Sequence, residues 1–120
     1  MASTAKRISP VNGETYVERP LASESEALAT LARARAEQAG WRNTPLAERQ
    51  KLMSKAVDAF VAKGPQIAEE ISWQMGRPVA QSPGEVRGFE ERARHMIGIA
   101  ADALKDVDVG AKDGFTRFIR

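Results

Sequence analysis

His95, the chain's one histidine, follows Glu91 by four residues, the spacing that places two side chains on one face of a helix. A metal ion needs three or four ligands converging from one side. The 120 residues hold no cysteine, so Glu91 and His95 read as a solvated helix pair. The adjacent acids Glu69-Glu70 and Glu90-Glu91 point in different helical directions, which disqualifies both as catalytic carboxylate pairs. Asp106 and Asp108 fall in an irregular stretch that lacks the central glycine and terminal glutamate of a calcium loop. Gly84 and Gly88 have the spacing of a membrane-helix contact, but charged neighbours exclude that setting. The phosphate-cradling patterns G-x-G-x-x-G and G-x-x-x-x-G-K-[ST] are absent. Trp41 and Trp73 each adjoin a helix end or face and read as packing anchors. No nucleophile, base and orienter assemble from these residues.

The elements that position them are mostly helices. "SESE" puts Ser23 three residues before Glu26, a capping box. The alanine-rich run behind it predicts a helix closed by Gly40, with Leu28, Leu31 and Ala32 as a narrow apolar strip. A second helix is expected with Thr44 as N-cap, Pro45 at its first position and Glu48 in its first turn. Its core-facing stripe is Met53, Ala56, Val57, Phe60 and Val61, and Gly64-Pro65 ends it. A shorter third helix aligns Ile67, Ile71 and Met75 and stops at Gly76. The fourth and longest opens on "SPGE", a second capping box at Ser82 and Glu85. Val86, Phe89, Ala93, Met96, Ile97, Ala100 and Leu104 recur along it at helical spacing.

Strand signals sit at the two ends. Asn12-Gly13 is the dipeptide of a type I′ hairpin turn, with Val11 and Thr15-Tyr16-Val17 as arms. Pro10 and Pro20 hold those arms short. Phe115 to Ile119 reads as a strand without a partner in the preceding sequence. Hydrophobic residues at 42 % and charged residues at 28 % are too apolar for disorder and allow one small domain. A net charge of +2, with acids and bases alternating along the helices, leaves no stripe for nucleic acid. No apolar run is long enough for a membrane span. "MASTAKRISP" has no apolar segment behind its basic pair, so a cytoplasmic protein is expected.

The order of these pieces carries more than any one of them. "ISPVNGETYVERPLAS" comes first, followed by an alanine-rich helix, then Trp41, Pro45 and Glu48-Arg49. After these come Gly76-Arg77-Pro78 within "MGRPVAQSPGEV", and finally "FTRFIR". From about Ile8 to Arg120 this succession resembles the start of an aldehyde dehydrogenase. The resemblance implies that residues 1–120 are the helical part of the cofactor-binding domain of a larger α/β protein. Residues 114–120 would enter a β subdomain used in oligomer assembly, and the strand's partner would come later in the polypeptide. It implies NAD- or NADP-dependent oxidation of an aldehyde to a carboxylic acid, through a cysteine nucleophile and a glutamate base outside these residues. The chain alone is then expected to be inactive and to bind no cofactor. By the same resemblance Phe89 is the position nearest the substrate tunnel, although its place in an apolar stripe also suits a core aromatic.

The implied partners are the remainder of the polypeptide or a homologous subunit, in a homo-oligomer, with no nucleic acid and no membrane. Two other readings remain open, a stand-alone helical interaction module and a truncated paralogue associating with a full-length enzyme. A segment whose helix stripes pack on a missing domain should also expose apolar surface.

Overall fold

The Asn12-Gly13 dipeptide does close a hairpin, though through a wider loop than a two-residue turn. The computed structural model describes residues 3–110, 112–116 and 118–119. In it β1 (Thr4–Ile8) pairs antiparallel with β2 (Thr15–Pro20), Thr4 opposite Pro20 and Ile8 opposite Thr15, with a bulge between Arg7 and Ile8. The Ser9 and Glu14 backbones close the loop, Ser9 N–H donating to the Glu14 carbonyl at 2.8 Å, and Gly13 N–H donates back to the Ser9 carbonyl at 2.8 Å. Val11 therefore lies in the loop and not in an arm. Gly13 takes φ +75° while Asn12 does not enter the positive region, so the turn is not type I′. Asn12 works through its side chain instead, which accepts from Glu14 N–H at 3.1 Å and donates to the Glu14 carboxylate at 3.0 Å.

Four helices follow: α1 (Glu24–Trp41), α2 (Leu46–Val61), α3 (Gly64–Met75) and α4 (Pro83–Ala103). Both arms of the Ser23–Glu26 capping box form at the head of α1. Gly40 does not close that helix. It stays inside, with Arg42 in right-handed geometry as the C-cap. At α2 the N-cap is Pro45 and not Thr44, and no side chain caps it. Gly64-Pro65 opens α3 rather than closing α2. Proline fits there because the first turn of a helix has no use for its missing N–H.

The second expected capping box is overturned. Ser82 has right-handed backbone geometry and makes no capping bond. Its hydroxyl meets the Ser72 hydroxyl of α3 at 2.8 Å and donates to the Pro78 carbonyl at 3.3 Å, and the residue is 0 % exposed. A long-range polar contact has displaced a local one.

Helices α2 and α4 run antiparallel. Phe60 meets Phe89, Asp58 meets Arg94 and Gln50 meets the Ile97 carbonyl, so the pairs advance along one helix as they retreat along the other. Helix α3 packs on α4 as well. Among the described residues the buried apolar core is Val57, Ala68 and Val86, one from each of these three helices. Helix α1 buries none of its residues. The radius of gyration is 21.3 Å and the extents are 71 × 40 × 22 Å, against about 14 Å expected for a compact chain of this length. The accessible surface is 9935 Å², where a compact domain of this mass would expose about 6,400 Å². The expected exposure of apolar stripes is thus present in this chain.

The C-terminal strand has a partner after all. Strand β3 (Val107–Asp108) precedes β4 (Phe118–Ile119) and pairs with it antiparallel, Val107 opposite Ile119 and Asp108 opposite Phe118. Phe115 is not in β4 and forms an isolated bridge with Lys112. The stretch read as polar and irregular supplies the partner strand. Arg117 of the expected strand, and Arg120 after it, lie outside the described residues. The chain is mostly helical with short antiparallel hairpins, compatible with part of an aldehyde dehydrogenase-like domain.

Candidate functional site

Phe89 projects from the second turn of α4 onto Phe60 of α2. The ring centroids are 4.4 Å apart and the planes are tilted by 50°, a favoured aromatic geometry. The two rings are nevertheless 38 % and 39 % exposed, so neither is a closed core residue. Met53, seven residues before Phe60, and Met96, seven after Phe89, continue the same edge of the antiparallel pair, at 49 % and 62 % exposed. Sequence periodicity assigned all four to core stripes. The structure moves the stripe by part of a turn. Val57 and Val86 take the buried line, and the Met53–Phe60–Phe89–Met96 line becomes an exposed apolar ridge.

Beside this ridge, Arg94 holds α2 and α4 in register. Its guanidinium reaches Asp58 at 2.8 Å and Glu90 at 2.9 Å. The bond to Asp58 is the main cause, and that to Glu90 the next, of an Arg94 pKa raised above the usual arginine value. Arg94 is a fixed cation and no proton donor. Gln50 Nε2 donates to the Ile97 carbonyl at 2.6 Å. Arg49 Nε is buried without a hydrogen-bond partner among the described residues.

The hairpin joins α3 at a second seam. Ser9 is 1 % exposed, and its hydroxyl donates to the Trp73 carbonyl at 2.6 Å while accepting from Val11 N–H at 3.2 Å. Trp73 lies in the last turn of α3, where carbonyls have no partner within the helix, so Ser9 serves as a cap delivered from another element. Tyr16 stacks on the Trp73 ring at 6.0 Å with an 8° interplanar angle. Partial burial first, then the Glu70 and Glu69 carboxylates, push the Tyr16 hydroxyl above the ordinary tyrosine range. It stays protonated at neutral pH and is no base. Gly76 ends α3 at φ +72°, and a Cβ there would sit 2.9 Å from Pro10 Cγ. Backbone conformation and the hairpin's approach both demand glycine.

Beside this seam lies an open cleft of about 670 Å³ whose lining includes Arg7, Arg19, Lys63, Ile67, Glu70 and Ile71. No sequence motif announced it, because its residues come from the hairpin, the α2–α3 junction and α3. His95, the paired acids and Asp108 do not converge on one site. His95 and Glu91 line a shallow exposed depression on α4 with Arg92 and Met96. Glu70 accepts from Gln74 and Glu90 from Arg94. Asp108 accepts from Gly110 N–H in a turn. Among the described residues no group of three histidine, cysteine or acidic side chains is placed to hold a metal ion, and no helix is long and apolar enough to cross a membrane.

Comparison with known proteins agrees with the ordered motifs. The profile of the aldehyde dehydrogenase family matches residues 1–120. A succinate-semialdehyde dehydrogenase [NADP(+)] of Mycobacterium ulcerans is 32 % identical over 115 residues, covering 91 % of this chain and 25 % of that protein. Its namesake from Mycobacterium tuberculosis H37Rv is 29 % identical over 116 residues, 92 % of this chain and 25 % of that protein. A mitochondrial methylmalonate-semialdehyde dehydrogenase [acylating] of Arabidopsis thaliana is 28 % identical over 93 residues, 78 % of this chain and 15 % of that protein. The chain thus spans about a quarter or less of the length of these relatives.

Proposed function

The chain belongs to the aldehyde dehydrogenase family, and from that premise we propose that it is the helical N-terminal segment of an NAD(P)-dependent enzyme oxidising an aldehyde to a carboxylic acid. The observation that carries the reading is the exposed ridge Met53–Phe60–Phe89–Met96 on a chain whose surface exceeds that of a compact domain. An apolar ridge of this kind is a packing surface for further protein. The rest of the polypeptide, or a homologous subunit of a cytoplasmic homo-oligomer, covers it. Residues 114–120 enter the subdomain through which subunits assemble.

The residues of this chain do not fit a nicotinamide dinucleotide. Such a cofactor lies at the start of a helix that follows a strand of a parallel sheet, whereas the described strands pair as antiparallel hairpins. The sequence has no cysteine to attack a carbonyl. The 120 residues therefore contribute shape and not reacting groups. Phe89 lies nearest the substrate tunnel in this reading, with Phe60 fixing its ring. The named relatives act on semialdehydes, so the first substrate to try is an aldehyde that also carries a carboxylate.

The test is an assay of the full protein for reduced nicotinamide formed on adding succinate semialdehyde, with NADP⁺ and NAD⁺ in parallel. Turnover by the full protein and none by the 120-residue chain is expected. A full protein inert to every aldehyde offered, or turnover by the chain alone, overturns the reading. Phe89→Ala should raise KM more than it lowers kcat. An unchanged KM removes Phe89 from the tunnel.

A further inference from the structure

The two faces of the N-terminal hairpin differ in charge balance. On one face Thr4 and Lys6 share the Glu18 carboxylate, at 2.7 Å and 3.4 Å. The bond from Thr4 first, and the Lys6 charge after it, hold Glu18 below the usual glutamate range. The register places Ala5 opposite Arg19 and Arg7 opposite Val17, so Arg7 and Arg19 are diagonal neighbours on the other face, at a cross-strand spacing of roughly 7–8 Å. Like charges so placed repel unless an anion lies between them. No described residue forms an ion pair with either arginine.

That second face forms one wall of the 670 Å³ cleft. Lys63 adds a third cation from the α2–α3 junction, likewise without an ion pair among the described residues. Ile67 and Ile71 supply an apolar lining from successive turns of α3. The one carboxylate in the lining, Glu70, is engaged by Gln74 Nε2 at 2.6 Å, which leaves the cleft with three cations against one anion. Its volume falls in the range of small-molecule sites, roughly 300–1,000 Å³, and such sites pair apolar walls with a few convergent polar groups.

We propose that this cleft binds a small amphipathic organic anion, its carboxylate or phosphate between Arg7, Arg19 and Lys63 and its hydrocarbon part along Ile67 and Ile71. Arginine suits this role because its planar fork meets a carboxylate or phosphate with two parallel hydrogen bonds. The site is separate from the α2–α4 ridge and does not depend on the proposed reaction.

The experiment is a calorimetric titration of the full protein with hexanoate and with hexyl phosphate. Hexanol, hexylammonium and inorganic phosphate serve as ligands lacking, in turn, the charge, its sign and the tail. One or both anions with tails should bind more tightly than all three controls, the stronger of the two identifying the headgroup, and binding should weaken as salt is added. The double variant Arg7→Gln, Arg19→Gln should weaken binding by roughly tenfold or more, the size of one lost charge-assisted contact. Lys63→Gln gives a second, independent reduction should the double variant fold poorly. Arg35→Gln, on exposed α1, should leave affinity unchanged. Absence of binding, hexanol binding as tightly as hexanoate, or affinity indifferent to both the arginine pair and Lys63 overturns the proposal. The last outcome also covers a cleft filled by other parts of the polypeptide with the anion held elsewhere.

Discussion

Ser23 and Ser82 each stand three residues before a glutamate at the head of a helix, and the structure uses them in opposite ways. At α1 the hydroxyl caps its own helix, accepting from Glu26 N–H at 3.3 Å and donating to the Glu26 carboxylate at 2.8 Å, while Ser23 N–H donates to the same oxygen at 2.7 Å. At α4 the hydroxyl leaves the helix end and binds Ser72. The helix with the complete local cap is the one that buries no residue. The helix without it is the one packed on both α2 and α3. Local hydrogen bonds decide where neighbours are absent, and packing overrides them where neighbours are close.

The same substitution at both serines breaks or sharpens this contrast most strongly. Aspartate is as good an N-cap as serine, so Ser23→Asp should change stability by no more than about 0.5 kcal/mol. Ser82→Asp places a carboxylate at a fully buried position and should cost about 3 kcal/mol or more. Equal effects in urea unfolding would return Ser82 to a capping role.

A smaller effect is expected from truncating apolar side chains. Val57→Ala should lower stability by about 2 kcal/mol, from lost burial and the void left behind. Leu28→Ala in the 120-residue chain should change it by less than about 0.5 kcal/mol, since exposed positions are tolerant. Repeating Leu28→Ala in the full protein sharpens the comparison. A cost rising towards that of Val57→Ala would show α1 covered by further protein, and an unchanged value would leave it a solvated arm.

Glycines give the next contrast. Gly76→Ala must adopt φ +72° and push against Pro10, at about 1.5 kcal/mol or more. Gly40→Ala lies inside α1 with open space around its Cβ position and should stabilise by about 0.5–1 kcal/mol. Denaturant midpoints moving the same way for both would refute the assigned helix ends.

The smallest effect is acidic fraying of α1. The Ser23 backbone N–H first, and its hydroxyl second, hold Glu26 below the ordinary glutamate value, which is about 4.3 in peptides. A lowered folded pKa means the contribution is complete above the unfolded value and disappears as pH falls through the folded one. The amide protection factors across residues 24–27 should fall with acid, and Glu26→Gln should abolish that dependence. Exchange indifferent to pH after correction for intrinsic chemistry would mean the box adds nothing.

Helix number and order, the hairpin at Asn12-Gly13 and the cap at Ser23 were legible in the residues, because each rests on neighbours within a few positions, and the family resemblance was legible in the order of such local pieces along the chain. Less was legible at the candidate sites. Phe89 stood in a core stripe by periodicity, yet its fate depended on which part of that stripe α2 would cover. Arg7 and Arg19 carried no motif on their own hairpin, and Lys63 is separated from them in sequence by the whole of α1 and α2. The partner strand at Val107–Asp108 was hidden because two residues in a polar stretch have no periodicity to detect.

Only the tertiary arrangement decided that Ser82 binds Ser72, that Ser9 caps an α3 carbonyl, and that Gly76 must admit Pro10. Each of these joins residues at least ten positions apart. Sequence by itself determined what the backbone can do locally, since propensity and capping act within one turn. Which side chains meet across turns was settled by the packing of a small core, where the burial of Val57, Ala68 and Val86 outweighs a single cap.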